Sequence, residues 1–214
     1  MRQVNSYISF SFLCSLFVML GFAQNVSAQK ALNAAQKQRQ QVVRQAYADA
    51  QAYAEQQKKD RYTGNVFTAK WQRNESAVGH VEETIEFFSK DKEDGRTGMS
   101  YHSLLLVRNS YKRSEATIGD TYEEFLFNPD NGNLMFYFKT NNYWWCEEEV
   151  KVETRYYFNA DGSFSSGSLK LTPINGQKQP FYPEELQELD GNDALMMQER
   201  YKRVFNSMTN FTTE

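Results

Sequence analysis

The chain has 214 residues, of which 40% are apolar, 15% are aromatic and 24% are charged, and it contains only four prolines. These values are typical of a globular domain with a well-supplied core, and they exclude a disordered or collagen-like chain. The formal charge is −3 and there is no block of lysine and arginine, which argues against a nucleic acid as a partner.

The first 28 residues have the pattern of a secretory signal peptide. Arg2 precedes a mostly apolar run over residues 8–23, and the small residues of Val26-Ser27-Ala28 follow it. The run is shorter than the roughly 20 residues of a membrane span. We therefore expect cleavage after Ala28, with Ala23 as a second usable site, and no membrane span after cleavage. The expected product is a single periplasmic or secreted domain over residues 29–214.

Residues 29–61 predict one long helix, because they contain neither Gly nor Pro and are rich in Ala, Gln, Lys and Arg. Apolar residues recur along it at spacings of three and four, at Val43, Tyr47, Ala50, Tyr53 and Ala54. We expect this stripe to lie on a sheet. Gly64 suits the left-handed position that ends a helix.

Residues 65–171 change to short β-rich segments separated by clusters of Gly, Asn and Asp. The predicted strands are residues 65–73, 78–89, 99–111, 120–127, 133–140, 143–158 and 163–171. Turns are predicted at residues 92–95, 128–133 and 159–163. Connections this short leave no room for helical crossovers, so the strands should form an antiparallel meander.

The C-terminal region predicts helical structure after a loop that contains Pro173, with a short helix at residues 184–189. Asn192 or Asp193 can cap a last helix that runs to about Met208. Its apolar side is expected to include Leu195, Met196, Val204 and Met208. The predicted fold class is thus α+β: a long N-terminal helix packed on an antiparallel meander sheet of about seven strands, with a C-terminal helical segment.

Two segments of the β region are similar to each other, residues 122–134 and 153–164. Each has an aromatic strand, an Asn-x-Asp turn with Gly, and a returning strand. Together with the Ala/Gln-rich helix and the signal peptide, this hairpin resembles small, largely uncharacterised secreted or periplasmic proteins of Bacteroidetes-type bacteria. The resemblance covers about residues 29–165. It implies an α+β fold and an envelope location, and it carries over no catalytic residue.

The sequence predicts no cofactor and no metal site. His80 and His102 are the only histidines, and neither belongs to a spacing typical of zinc ligands. Cys146 is the only cysteine left after cleavage, so no disulfide framework can form, and strand alternation places it inside. No Gly-x-Ser-x-Gly nucleophile motif is present.

Acidic residues offer a possible enzymatic chemistry, since glycosidases use two carboxylates held across a cleft. Glu124 and Glu148 are the candidates, because they alternate in phase with the apolar residues Leu126 and Val150. This alternative function is a glycan-directed, carboxylate-dependent hydrolase in a cleft of the sheet.

A non-catalytic binding module is the other expected function. If residues 143–158 form one strand, Trp144, Cys146 and Val150 lie on its core side, and aromatic and charged residues alternate on the other. Such rings either fill cross-strand pairs or form an exposed platform for a glycan or protein ligand. The candidate binding residues are Tyr137, Tyr143, Trp145, Glu147, Glu149, Arg155 and Tyr157.

Overall fold

The computed structural model describes residues 32–60, 64–76, 79–114, 120–145, 148–174 and 189–209. These residues form two helices and seven strands, which confirms the α+β class. The elements are α1 (Ala34–Lys59), β1 (Val66–Glu75), β2 (Gly79–Glu93), β3 (Ser100–Arg113), β4 (Thr121–Phe127), β5 (Leu134–Trp145), β6 (Glu148–Phe158), β7 (Phe164–Pro173) and α2 (Asn192–Thr209).

The strands form one antiparallel sheet in the order β1-β2-β3-β4-β5-β6-β7, so each pairs with its sequence neighbour. The predicted turns at 128–133 and 159–163 join β4 to β5 and β6 to β7. Their glycines, Gly132 and Gly162, have positive φ values of 71° and 85°. Asn133 of the first turn donates from Nδ2 to the carbonyl of Ala160 in the second, 3.0 Å away, so the two similar hairpins also contact each other.

Helix α1 covers one face of the sheet, as its apolar stripe predicts. Asn33 begins it with a capping box, since its side chain accepts from the amide of Gln36 while the Gln36 side chain accepts from the amide of Asn33. Val43, Ala50 and Ala54 are buried in one core cluster with the sheet residues Phe88, Leu105, Leu106, Leu126, Phe136 and Tyr157. The helix ends at Asp60 in an extended conformation, so Gly64, with φ +64°, is not its cap.

Helix α2 covers the opposite face. Ala194, Tyr201 and Phe205 are its buried residues, and they join a second core cluster with Ile85, Phe87, Leu104, Val107, Phe125, Phe127, Leu134, Tyr137, Tyr156 and Phe158. Met196, which we expected on the apolar side, is 72% exposed. The sheet is therefore the middle layer between two helices, and both of its faces contribute to the core.

The expected break at Asn141-Asn142 is wrong. Strand β5 continues to Trp145, and Asn141 is paired with Thr121 of β4 and with Val152 of β6. Because residues 143–158 do not form one strand, the alternation that we applied across them changes at the hairpin. Tyr143 is opposite Val150, and cross-strand partners share a face of the sheet. From Tyr137 onward, the odd-numbered residues of β5 thus lie on the α2 face, with the even-numbered residues of β6.

Several predictions fall outside the described residues. These are the signal peptide at residues 1–28, most of the short helix at 184–189, and Cys146 and Glu147, which come between β5 and β6 in the sequence. No helix in the described part of the chain is long and apolar enough to cross a membrane.

Candidate functional site

Polar side chains collect on the α2 face near the end of the sheet that carries the β1–β2, β3–β4 and β5–β6 turns. Every second residue of a strand points to the same face of the sheet. On this face, the buried apolar residues of each strand give way to polar residues toward this end. On β2, Glu83 precedes the buried core residue Ile85 on the same face, and on β3 Asn109 follows the core residue Val107. On β4, Phe125 is preceded in the same way by Glu123.

A cavity of about 280 Å³ lies over these residues. It is slightly smaller than the roughly 300–1,000 Å³ of pockets that hold drug-sized ligands, so it suits one small ligand. Charged groups line most of it: the acids Glu83, Glu123 and Asp193, and the cations Arg73, Arg113, Lys139 and Arg200.

Glu83 is 2% exposed, and both of its carboxylate oxygens are occupied. Oε1 accepts from Asn109 Nδ2 at 3.2 Å, and Oε2 accepts from Arg200 Nη2 at 3.0 Å. Since a buried carboxylate must be paired and hydrogen-bonded to avoid a large desolvation cost, Arg200 ties α2 to the sheet at this point.

Glu123 is 7% exposed and is held mainly by phenols. Its Oε1 accepts from Tyr137 Oη at 2.8 Å, and its Oε2 accepts from Tyr201 Oη at 3.4 Å. Lys139 Nζ is 3.7 Å from Oε1. Burial, and then the nearby charge of Glu123, raise the pKa of Tyr137 and of Tyr201 well above the usual range, so both phenols stay protonated.

Two buried polar atoms in the cavity wall have no hydrogen-bond partner among the described residues. One is the acceptor Asn109 Oδ1, on a residue that is 3% exposed, and the other is the donor Arg113 Nε. Buried polar groups in native proteins are nearly always paired with protein, water or ligand. Asn109 and Arg113, which both line the cavity, thus each carry one buried polar atom with an unused hydrogen bond.

Aromatic side chains stand at the edge of this cavity. Tyr111 lines it, and the guanidinium carbons of Arg113 and Arg73 lie 4.5 Å and 5.9 Å from the centre of its ring. Trp71 on the edge strand β1 is paired with Glu83, shares its face and is 38% exposed. An accessible indole thus lies next to Glu83, outside the residues that line the cavity.

The predicted binding residues do not form one platform. Tyr137 is 1% exposed in the α2-side core and Tyr157 is 4% exposed in the α1-side core, so neither belongs to an exposed surface. The reason is that helices cover both faces of the sheet. Tyr143 shares the face of Tyr137 and is 38% exposed.

Glu149 and Arg155 lie on the other face. Glu149 accepts from Asn142 Nδ2 at 3.2 Å, and the Arg155 guanidinium lies 5.2 Å from the ring centre of Phe138. The side chain of Trp145 and residue Glu147 lie outside the described part of the structure. Of the seven candidates, Tyr137 lines the cavity.

Glu124 is buried on the α1 face, away from the cavity. It accepts from Gln51 Nε2 at 2.8 Å and from the hydroxyls of Tyr47 and Tyr122, and Arg108 Nε is 3.2 Å from its Oε1. These contacts fix α1 on the sheet and place the Glu124 carboxylate on the opposite face of the sheet from those of Glu83 and Glu123. The side chain of the other hydrolase candidate, Glu148, lies outside the described part of the structure, so its placement relative to Glu124 stays a prediction.

The histidines do not come together. His80 Nδ1 lies 3.1 Å from Asn74 Oδ1, and His102 Nδ1 lies 3.1 Å from Asp91 Oδ1. Among the residues that the structure describes, no group of three or more His, Cys, Asp or Glu side chains is placed to hold a metal ion.

Sequence reasoning missed Glu83, Asn109, Arg113 and Trp71 as site residues. The available signal was an alternating strand pattern that changes from apolar to polar at the same end of β2, β3 and β4. The register between the strands decides whether these polar residues become neighbours, and the sequence pattern alone does not provide that register.

Comparisons with known proteins add no assignment. No family model matches the chain, and no match is found among curated proteins or solved structures. The geometry of the cavity is accordingly the basis for a functional proposal.

Proposed function

We propose that this protein is a non-catalytic binding module that holds a small hydroxyl-rich ligand, a sugar unit of a glycan, in the cavity lined by Glu83, Asn109 and Arg113. The observation that carries the proposal is the unmatched acceptor Asn109 Oδ1 in the wall of a polar cavity. A sugar hydroxyl can donate to this oxygen and accept from a neighbouring donor.

The exposed indole supports the same ligand class. An aromatic face next to hydrogen-bonding groups suits a pyranose ring, whose C–H surface packs on the ring while its hydroxyls reach polar partners. Trp71 supplies this face beside Glu83. The platform that we expected between residues 143 and 157 is thus replaced by a smaller site built from β1 to β5 and α2.

A hydrolase is the second candidate, because Glu83 and Glu123 both line one cavity. However, each of their four carboxylate oxygens already accepts a hydrogen bond from a protein side chain. A general acid must present a proton to the glycosidic oxygen, and a nucleophile or base must reach the sugar or a water. These carboxylates are arranged as acceptors within a structural network, which favours binding over catalysis.

The exposed Trp71 permits a direct test. Binding of the purified protein is screened on a glycan array and quantified by calorimetry, with Trp71→Ala compared with Tyr101→Ala. Tyr101 is the matched control, since it is 51% exposed at the opposite end of the sheet. Loss of stacking should cost about 1 kcal/mol, a roughly fivefold to tenfold rise in Kd, for Trp71→Ala only.

Two results would contradict the proposal: no saccharide on the array binds, or both variants lose affinity equally. Chromatography of the same saccharides after incubation tests the second candidate. Cleavage products that disappear in Glu83→Gln and Glu123→Gln would establish a hydrolase instead.

We further propose that the domain acts outside the cytoplasm, on the basis of the signal-peptide pattern in residues 1–28. The mass of the exported protein tests this, with a start at Gln29 expected. An exported form that retains residues 1–28 would contradict it.

A further inference from the structure

The cations around the cavity differ in one respect. Arg200 pairs with Glu83, Lys139 pairs with Glu123, and Arg73 pairs with Glu75. Among the described residues, no acidic side chain pairs with Arg113. Arg113 is therefore the cation of the cavity wall whose charge is not neutralised within the described structure.

Arg113 is also held in position. Its guanidinium carbon lies 4.5 Å from the centre of the Tyr111 ring, a cation–π contact that orients the planar group. Its Nε atom is buried and has no hydrogen-bond partner among the described residues. The two terminal Nη groups of a planar guanidinium can donate two parallel hydrogen bonds to one oxyanion.

We infer that Arg113 binds an oxyanion on the ligand, so that the preferred ligand is an acidic sugar. This inference rests on the proposed sugar-binding function and specifies its substrate class. Asp193, the third acid of the cavity wall, does not neutralise the charge of Arg113. Its carboxylate accepts from the amide of Ala194 at 2.9 Å and interacts with the Tyr156 hydroxyl. The hydroxyls of the sugar would meet Asn109 while its anionic group meets Arg113.

The inference predicts a preference between matched sugars. Calorimetry compares D-glucuronate with D-glucose and D-galacturonate with D-galactose, each pair differing only in the carboxylate. A charge-assisted double hydrogen bond should make the acidic member of the preferred pair bind roughly 10- to 100-fold more tightly. D-Glucose 6-sulfate and D-galactose 6-sulfate distinguish a carboxylate from a sulfate ester as the oxyanion.

Arg113→Met removes the charge and keeps most of the side-chain length. It should abolish the preference, because it lowers the affinity for the acidic sugar far more than the affinity for the neutral sugar. Lys112→Met is the matched control, because Lys112 is the neighbouring exposed cation on the opposite face of β3. Arg113→Lys keeps the charge without the planar fork, so it should recover only part of the preference. Binding of the neutral sugar by each variant checks that the variant is folded.

The outcomes separate the two proposals. Binding of neutral sugars without a preference for the acidic ones would overturn the role of Arg113 and leave the proposed function intact. A preference for the acidic sugar that persists in Arg113→Met would also overturn the role of Arg113. Failure of all the saccharides to bind would refute the proposed function and this inference together.

Discussion

Tyr201 connects the core under α2 with the polar network of the cavity, so two substitutions there can separate the two contributions. The side chain is fully buried, and its ring centre lies 4.9 Å from that of Phe125 and 6.5 Å from that of Phe87. Its hydroxyl accepts from Asn109 Nδ2 at 2.8 Å and donates to Glu123 at 3.4 Å.

Tyr201→Phe removes only the hydroxyl. Asn109 and Glu123 each keep another partner, Glu83 and Tyr137 respectively, so neither group is left wholly unpaired. We expect a loss of about 1–2 kcal/mol in the free energy of unfolding. Tyr201→Ala also removes the ring from a fully buried position, and by analogy with other buried aromatic truncations it should cost about 3–5 kcal/mol.

Urea unfolding followed by circular dichroism measures both values, with Met196→Ala as a control. Met196 is 72% exposed on the same helix, so its truncation should change stability by less than about 0.5 kcal/mol. In a domain of this size, each kcal/mol corresponds to about 2–4 °C in Tm. A neutral Tyr201→Phe would refute the stabilising role of the network, and a Tyr201→Ala variant as stable as the control would refute the packing of α2 on the sheet.

Two further predictions concern alkaline pH and a single glycine. Burial raises the pKa of Tyr47, Tyr122, Tyr137, Tyr156 and Tyr201. The stabilisation that these phenols provide should be complete below their unfolded pKa of about 10 and be lost as pH rises above it, so their phenolate absorbance should appear together with unfolding. Phenolate formation in a still-folded protein would contradict this. Gly191→Ala should lower the free energy of unfolding in urea more than Gly64→Ala. Both glycines have positive φ, which costs an alanine about 1–2 kcal/mol. In addition, a Cβ at Gly191 would lie 2.7 Å from Phe164 Cδ2, whereas a Cβ at Gly64 meets nothing within 4 Å. Equal losses would show that Phe164 moves aside freely.

The architecture could be predicted from the sequence to a large extent, because its determinants are local. The stripe of Val43, Ala50 and Ala54 has the period of a helix and lies on the sheet as expected. The turns at 128–133 and 159–163 use Gly at the positions that need positive φ. Seven β-rich segments with short connections can scarcely pair in any way other than a meander.

The errors arose where the outcome depends on pairing between strands. Asn141-Asn142 has the composition of a turn, but pairing with Thr121 and Val152 keeps it in β5. The misplaced turn put Tyr137 and Tyr157 on one imagined surface, although they belong to opposite core clusters. Neither is exposed, because α1 covers the face of Tyr157 and α2 covers the face of Tyr137, which sequence periodicity left open.

The sequence by itself determined the elements, their order and their antiparallel connection, since periodicity and turn chemistry act over a few residues. Only the tertiary structure decided which polar residues share a cavity. Glu83, Asn109 and Glu123 are separated along the chain, and they become neighbours through the register of β2, β3 and β4 and the placement of Tyr201 and Arg200 above them. Register and helix docking depend on the burial of the whole apolar surface at once, and for that reason no single segment of the sequence encodes the site.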